Sequence, residues 1–229
     1  QDADFNMESI SGIQNKIEVL FEECSKLKSE KLEILEAEDR WIKSKTQNMI
    51  FHVTVAVEKM RLREALHDIL FAFESDLNWY MKRANAKNRK NISGILHEVN
   101  SSRIAMLSPF APHIAEEMWE KLGHLGMVST SRWPEFSPSN VDATAIQSEE
   151  YLKSTIEDIA KILKVTKITP QKITIYTADL FKSKVYHTIL EKIVSGQTNM
   201  GIIMKELISD PDTQEIKKNP DFVQKTIRD

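Results

Sequence analysis

A chain of 229 residues is long enough for one large or two small domains, and 41% hydrophobic with 28% charged side chains is an ordinary globular balance. The formal net charge of −3 argues against an autonomous, strongly basic nucleic-acid binder, and the lack of a long apolar run argues against a membrane span. The one cysteine, Cys24, cannot form an internal disulfide, so we expect a reducing compartment, the cytoplasm.

The first part of the chain has the pattern of long amphipathic helices. Apolar residues at three- and four-residue steps predict a helix over about 9–28, and similar apolar faces predict helices over about 37–59, 62–83 and 92–107. The stretch 85–91 is poor in apolar residues and rich in Asn and Lys, which predicts a turn. Helices packed on helices would then bury a continuous core.

A helix-stop-helix pattern follows. Pro109 cannot lie inside the helix that ends near Leu107, whereas Pro112 suits the first turn of a new helix, which does not need its N–H. Gly123 is placed to end that new helix in a left-handed conformation. We expect Trp119 to be largely buried against the preceding helices. The apolar face of the new helix consists of Ile114, Ala115, Met118, Trp119 and Leu122.

After residue 134 the pattern changes, which predicts a helical bundle over 1–134, an irregular linker over 135–148 and a small tail over 149–229. In the tail we predict a helix over about 149–165 and, from alternating residues, a strand over 172–177. Asp179 could cap one further helix. Asn219-Pro220 would begin a last helix that ends at Arg228. The predicted fold class is mainly α, with a small α+β tail.

Basic side chains are concentrated in the middle of the chain, where residues 47–133 carry 11 Lys and Arg against 9 Asp and Glu. Five cations follow one another there with no acidic side chain between them: Lys82, Arg83, Lys87, Arg89 and Lys90. They are candidate contacts to nucleic-acid phosphates, and a solvated loop between helices is an equal alternative. The next basic candidates are Arg61, Arg63 and Arg132.

Several sequence islands resemble the class Ia aminoacyl-tRNA synthetases. The run 106–123, followed by Arg132-Trp133-Pro134, is similar to the "LxPFxPHxxEExWxxLG … WP" signature of their helical anticodon-binding domain. Glu38-Asp39-Arg40-Trp41 is similar to the "DRW" motif of that domain. The segment 76–83 resembles the "NDLRWYLRR" helix of leucyl-tRNA synthetases of archaeal and eukaryotic cytosolic type. In the tail, 175–178 and 204–207 resemble the run that follows the helical domain in that leucyl group.

The resemblance implies that the signature residues are structural rather than catalytic. They are Trp41, Pro109, Phe110, Pro112, His113, Glu116, Glu117, Trp119, Trp133 and Pro134. The order His113-Ile114-Ala115-Glu116-Glu117 does not match the HExxH pattern of a zinc site, so we predict no metal site and a structural or packing role for His113.

The resemblance also implies tRNA positioning rather than chemistry, because the HIGH and KMSKS motifs of the family's catalytic domain do not occur. The chain resembles a non-catalytic piece of a larger enzyme that ligates leucine to tRNA(Leu) with ATP and Mg²⁺. We expect as partners tRNA(Leu) and the remainder of the synthetase chain, with no membrane contact, no cofactor in this piece and a monomeric state. The alternatives are the equivalent region of a valyl- or isoleucyl-tRNA synthetase, or a helical protein-docking scaffold.

Overall fold

The computed structural model describes residues 7–30, 34–177, 179–196, 199–213, 216–217, 221 and 223, and the side chains from residue 11 onward. These residues form two compact units, the first ending at Thr166 and the second beginning at Lys167. Helix dominates both units and the described ranges contain no strand, so the predicted mainly α class is confirmed.

The helices of the first unit follow the predicted order with small shifts at their ends. They are α1 (Met7–Lys26), α2 (Ala37–Glu58), α3 (Leu62–His67), a π-helical segment (Asp68–Ala72), α4 (Phe73–Ala86), α5 (Ser93–Leu107), α6 (Pro112–Lys121) and α7 (Ala143–Thr166). The helix predicted over 62–83 is therefore present but interrupted, because five of its residues adopt the wider π conformation. Two short 3₁₀ turns, Val128–Thr130 and Pro138–Asn140, lie between α6 and α7.

The central element of the first unit is α2, which packs against α3, α4, α5 and α7. Its apolar residues recur on several faces, as expected of a helix surrounded by neighbours. Trp41, Ile42, Val53 and Ala56 are fully buried there. The core that they share with the other helices is continuous and includes Cys24.

The predicted proline corner is present. Helix α5 ends at Leu107 and α6 begins at Pro112, which occupies its first turn. Gly123 has a φ of 81°, and its N–H donates to the carbonyl of Glu120, so it ends the helix in the predicted left-handed conformation. Trp119 is only half-buried, and its ring stacks on His124 with 3.8 Å between ring centroids.

The second half differs from the predicted domain division. Helix α7 begins at Ala143, inside the predicted linker, and it belongs to the first unit because Ala145 is buried in that unit's core. Residues 172–177 have no regular secondary structure. A strand forms only when a neighbouring strand exchanges backbone hydrogen bonds with it, and the described residues offer none.

The tail that the structure describes is therefore helical rather than α+β. It contains α8 (Leu180–Val194) and α9 (Met200–Ser209). The two helices share a small core of Val185, Ile189, Ile203 and Leu207, to which two buried residues after α9 also belong. Asp179 caps α8 as predicted, because its carboxylate accepts from the backbone N–H of Lys182 at 2.8 Å. The last helix, predicted to begin at Asn219-Pro220 and end at Arg228, lies almost wholly outside the described residues.

Candidate functional site

The five cations between residues 82 and 90 lie at the end of α4 and in the turn that leads to α5. Lys82 and Arg83 belong to the last turns of α4, and Lys87, Arg89 and Lys90 follow it. Asn88 makes the turn possible with a φ of 53°, a conformation that Asn tolerates better than most residues. The predicted turn over 85–91 therefore corresponds to the C-terminal end of α4 and this loop.

Arg89 is bound inside the protein rather than presented to solvent. Its two terminal nitrogens donate to the two carboxylate oxygens of Asp39, each at 2.9 Å, in a bidentate pair. Nη1 also donates to Oε1 of Glu38 at 3.1 Å. The side chain of Arg89 is only 11% exposed, and both carboxylates are fully buried. The hydrogen bond to Asp39 raises the pKa of the guanidinium, so Arg89 stays charged.

Lys87 completes the same network. Its Nζ donates to Oε2 of Glu38 at 2.8 Å and lies 3.5 Å from Oε2 of Glu36. Burial alone would raise the pKa of Glu38, but the hydrogen bonds from Lys87, from the backbone and from Arg89 together outweigh burial, and the pKa is lowered. The hydroxyl of Tyr80 donates to Asp39 at 2.7 Å. The first two residues of the "DRW"-like segment, Glu38 and Asp39, therefore hold the turn after α4 against the start of α2.

Arg83 is also an internal link. Its Nε lies 3.2 and 3.1 Å from the two carboxylate oxygens of Glu149, which is 3% exposed in α7. The indole N–H of Trp79 donates to the same carboxylate at 2.8 Å. Three of the five candidate cations are thus neutralised within the chain. Lys82, which lies 5.7 Å from the Trp79 ring, and Lys90 are exposed, and neither has a carboxylate partner among the described residues.

The turn between α2 and α3 presents other predicted cations to solvent. We call residues 59–63, Lys59-Met60-Arg61-Leu62-Arg63, the corner surface. Met60 has a φ of 56°, which is uncommon for a residue with a side chain, and it is 76% exposed. Arg61 pairs with Glu64 at 2.9 Å, whereas Arg63 is exposed with no carboxylate partner in the part of the chain described.

Arg132 begins a segment that packs along the C-terminal half of α2. The indole N–H of Trp133 donates to Oγ1 of Thr54 at 2.9 Å. Four residues beyond Arg132, the ring of Phe136 lies 5.1 Å from that of Phe51, and both rings are partly exposed. Arg132 itself is exposed. We call Phe51, Arg132 and Phe136 the aromatic surface.

Sequence reasoning missed both phenylalanines of the aromatic surface. Phe51 follows Ile50 in a helix that is apolar on several faces, so no periodic signal separates an exposed phenylalanine from a core one. Phe136 lies in an irregular segment. Exposed aromatic rings can stack on unpaired RNA bases, and arginines without a carboxylate partner can contact phosphates.

The signature residues differ in how far they are buried. Trp41 is fully buried, Phe110, Trp133 and Pro134 are partly buried, and Pro109 and Pro112 are exposed at the corner that they shape. Glu116 accepts from the backbone N–H groups of Val128 and Ser129 at 2.7 and 3.0 Å, which holds the loop after α6. These bonds, that of Ser129 first, lower the pKa of Glu116.

His113 and Glu117 lie on the exposed side of α6. The structural or packing role predicted for His113 stays a prediction, since an exposed position on α6 does not by itself decide it. Within the described ranges, no group of three or more His, Cys, Asp or Glu residues could hold a metal ion. None of the described helices combines the length and apolar character that crossing a membrane requires.

Comparison with known proteins gives a consistent assignment. Residues 39–175 match the family described as the anticodon-binding domain of tRNA ligase. The leucine–tRNA ligase of Methanosarcina barkeri is 34% identical over 82% of this chain and 19% of its own length. Those of Methanosarcina mazei and Pyrococcus abyssi are each 32% identical over 99% of this chain and 23% of their own length. The chain thus spans about a fifth of these archaeal relatives.

A solved ternary complex of an Agrobacterium radiobacter leucyl-tRNA synthetase with tRNA and LeuAMS matches 59% of this chain and 17% of its own. The sequence identity is 24% and the TM-score is 0.45.

Proposed function

The chain belongs to the family of anticodon-binding domains of tRNA ligases, and from this premise we propose that it binds tRNA and positions it for a reaction carried out elsewhere in its parent protein. The family match carries this proposal, because residues 39–175 include every basic candidate considered above. The archaeal leucine–tRNA ligases among its relatives support tRNA(Leu) as the partner.

For the whole protein we propose the ligation of leucine to tRNA(Leu), with ATP and Mg²⁺ bound in regions outside this chain. The remainder of the synthetase is then its covalent partner. We further propose a monomer that acts in the cytoplasm, which agrees with a single, buried cysteine. Within this chain the proposed task is to hold the nucleic acid, which agrees with the family match.

The tRNA contacts that we propose differ in part from the five cations between residues 82 and 90. Arg83, Lys87 and Arg89 are engaged with buried carboxylates, so a phosphate would have to compete with those pairs. Arg63 and Arg132 are exposed and unpaired within the described chain, and Lys82 and Lys90 remain as further candidates. We propose that Arg63 and Arg132 contact the sugar-phosphate backbone, which sets the register of the tRNA without reading its sequence.

Measuring tRNA affinity over a salt series tests this proposal. Each lost phosphate contact should lower the slope of log affinity against log salt by about 0.7–0.9, because fewer counterions are released. The double variant Arg63→Ala/Arg132→Ala should therefore lose somewhat under ~2 units of slope. It should weaken binding to different tRNAs by similar factors.

The matched control is Lys121→Ala/Lys164→Ala, which removes the same charge from two exposed positions outside both surfaces. It should keep the parent slope to within the experimental error, apart from the small effect of net charge. Equal slopes for the two double variants, at unchanged circular dichroism, would remove Arg63 and Arg132 from the interface. Binding that does not respond to salt at all would overturn the phosphate-contact mechanism.

A further inference from the structure

A cavity of about 310 Å³ lies between α1, α4 and α5. None of its lining residues belongs to the corner surface or the aromatic surface. Its walls are largely aliphatic, with Leu20 from α1, Leu77 and Met81 from α4, and Leu96 from α5. This volume lies at the lower end of the range for ligand pockets, about 300–1,000 Å³. The cavity therefore suits a molecule of metabolite size.

One wall of the cavity carries a buried cation. Arg103 of α5 is 4% exposed. Its Nε and Nη2 donate to the carbonyl of Ile69 in the π-helical segment at 3.2 and 2.9 Å, and Nη1 donates to Oδ1 of Asn100 at 3.1 Å. These bonds use three of the five N–H groups that a guanidinium offers. Among the described residues, no carboxylate forms an ion pair with Arg103.

A carboxylate also lines the cavity but forms no ion pair with Arg103 among the described residues. Glu23 of α1 lines the cavity from an exposed position, where partial desolvation raises its pKa and the charge of Arg103 opposes that effect. Burial lowers the pKa of Arg103, and the charge of Glu23 opposes this effect. The other acidic residue of the lining, Glu74, is already paired with Lys16. Arg103 and Glu23 therefore line the same cavity from different helices with opposite charges, and the described residues show no ion pair between them.

A cation and a carboxylate on the lining of one largely aliphatic cavity are complementary to a small zwitterion. We propose that this cavity binds a small aliphatic amino acid, with its carboxylate on Arg103, its ammonium group on Glu23 and its side chain against the leucines. A buried cation without a counter-ion is costly, and the ligand's carboxylate would supply one. This inference goes beyond tRNA binding and does not depend on it.

Titration of the full chain with L-leucine, followed by isothermal calorimetry or methyl NMR, tests the proposal. We expect binding of L-leucine to saturate at ligand concentrations below about 20 mM, because protein sites for metabolites are commonly half-saturated at about 1 mM or less. Two analogues separate the charged contacts. Leucinol lacks the carboxylate and 4-methylpentanoate lacks the ammonium group, and each should bind at least about tenfold more weakly than L-leucine, as expected when a charged partner is lost.

The variants are Glu23→Gln and, as a matched control, Glu22→Gln, which makes the same change one residue away on a side chain outside the cavity. Glu23→Gln should weaken L-leucine binding about tenfold, whereas Glu22→Gln should not change it. Arg103 is left intact because it also braces the π-helical segment. The proposal is overturned by the absence of saturable binding, by equal affinities of the two variants, or by either analogue binding as well as L-leucine.

Discussion

Burial of the carboxylates of Glu38 and Asp39 is possible because donors surround both groups. Asp39 accepts from Arg89, from the Tyr80 hydroxyl and from the backbone N–H of Glu36, and Glu38 accepts from Lys87 and Arg89. A buried charge without such partners would cost several kcal/mol. Both carboxylates also lie in the first turn of α2, where the helix dipole favours negative charge.

Removal of Arg89 tests this network. Arg89→Ala should lower the free energy of unfolding by about 3–5 kcal/mol, because it leaves two buried carboxylates short of their main cation. Lys90→Ala is the neighbouring control, and an exposed side chain without a partner should contribute no more than about 0.5 kcal/mol. Urea unfolding of both variants decides the matter. Similar midpoints would mean that Arg89 is a surface cation.

The lowered pKa of Glu38 gives a pH dependence with a definite sign. Its folded pKa lies below the ordinary value of 4.5, so the unfolded chain binds the proton more tightly. The resulting stabilisation is present above pH 4.5 and is lost as the pH falls through the folded pKa.

Unfolding experiments between about pH 7 and about pH 3 should therefore show a smaller acid-induced loss for Glu38→Gln than for the parent. At neutral pH the variant should be the less stable of the two, because Lys87 and Arg89 lose a charged partner. An acid response identical to that of the parent would show that other carboxylates account for the whole effect.

At the scale of elements, the π-helical segment between α3 and α4 departs from the predicted regular helix. A π segment shifts the hydrogen-bond pattern, and here the carbonyl of Ile69 accepts from Arg103 of α5. Arg103 also lies near the ring of Phe73, with 5.8 Å between its Cζ and the ring centroid. The interruption is therefore stabilised by a residue 34 positions further along the chain.

Replacement by alanine should change the stability in opposite directions at two glycines, one just after α6 and one inside α1. Gly123 ends α6 with a φ of 81°, so Gly123→Ala should lower the free energy of unfolding by about 1–2 kcal/mol, although its Cβ would meet no neighbour. Gly12 lies inside α1 with open space around it and no positive φ. Gly12→Ala should therefore stabilise by roughly 0.5–1 kcal/mol. Thermal unfolding of the two variants measures both shifts, and a shift of the same sign in both would contradict the assigned backbone conformations.

At the scale of the whole molecule, internal ion pairs decide which cations are available to a partner. Arg83 connects α4 to α7, and Lys87 and Arg89 connect the following turn to α2. Among the described residues, the exposed arginines without a carboxylate partner lie elsewhere, at the corner surface and the aromatic surface. A variant at Arg89 would therefore affect the proposed tRNA binding through folding, whereas a variant at Arg63 tests the proposed interface itself.

Local patterns in the sequence determined the helical class, most helix ends, the proline corner and the family resemblance. Pro109, Pro112 and Gly123 restrict the backbone at their own positions, so their effects can be predicted without knowing the neighbours. The same holds for the apolar spacing that buries Ala115 and Met118.

Only the tertiary structure decided which charges are free. Glu38 and Arg89 are 51 positions apart, and Arg83 and Glu149 are 66 apart, so a run of consecutive cations could not reveal its distant partners. The strand predicted at 172–177 depended in the same way on a neighbour that the described chain does not provide. Likewise, the cavity beside Arg103 exists because α1, α4 and α5 meet there. Pairing and enclosure depend on contacts between remote segments, whereas helix starts and ends depend mainly on the residues beside them.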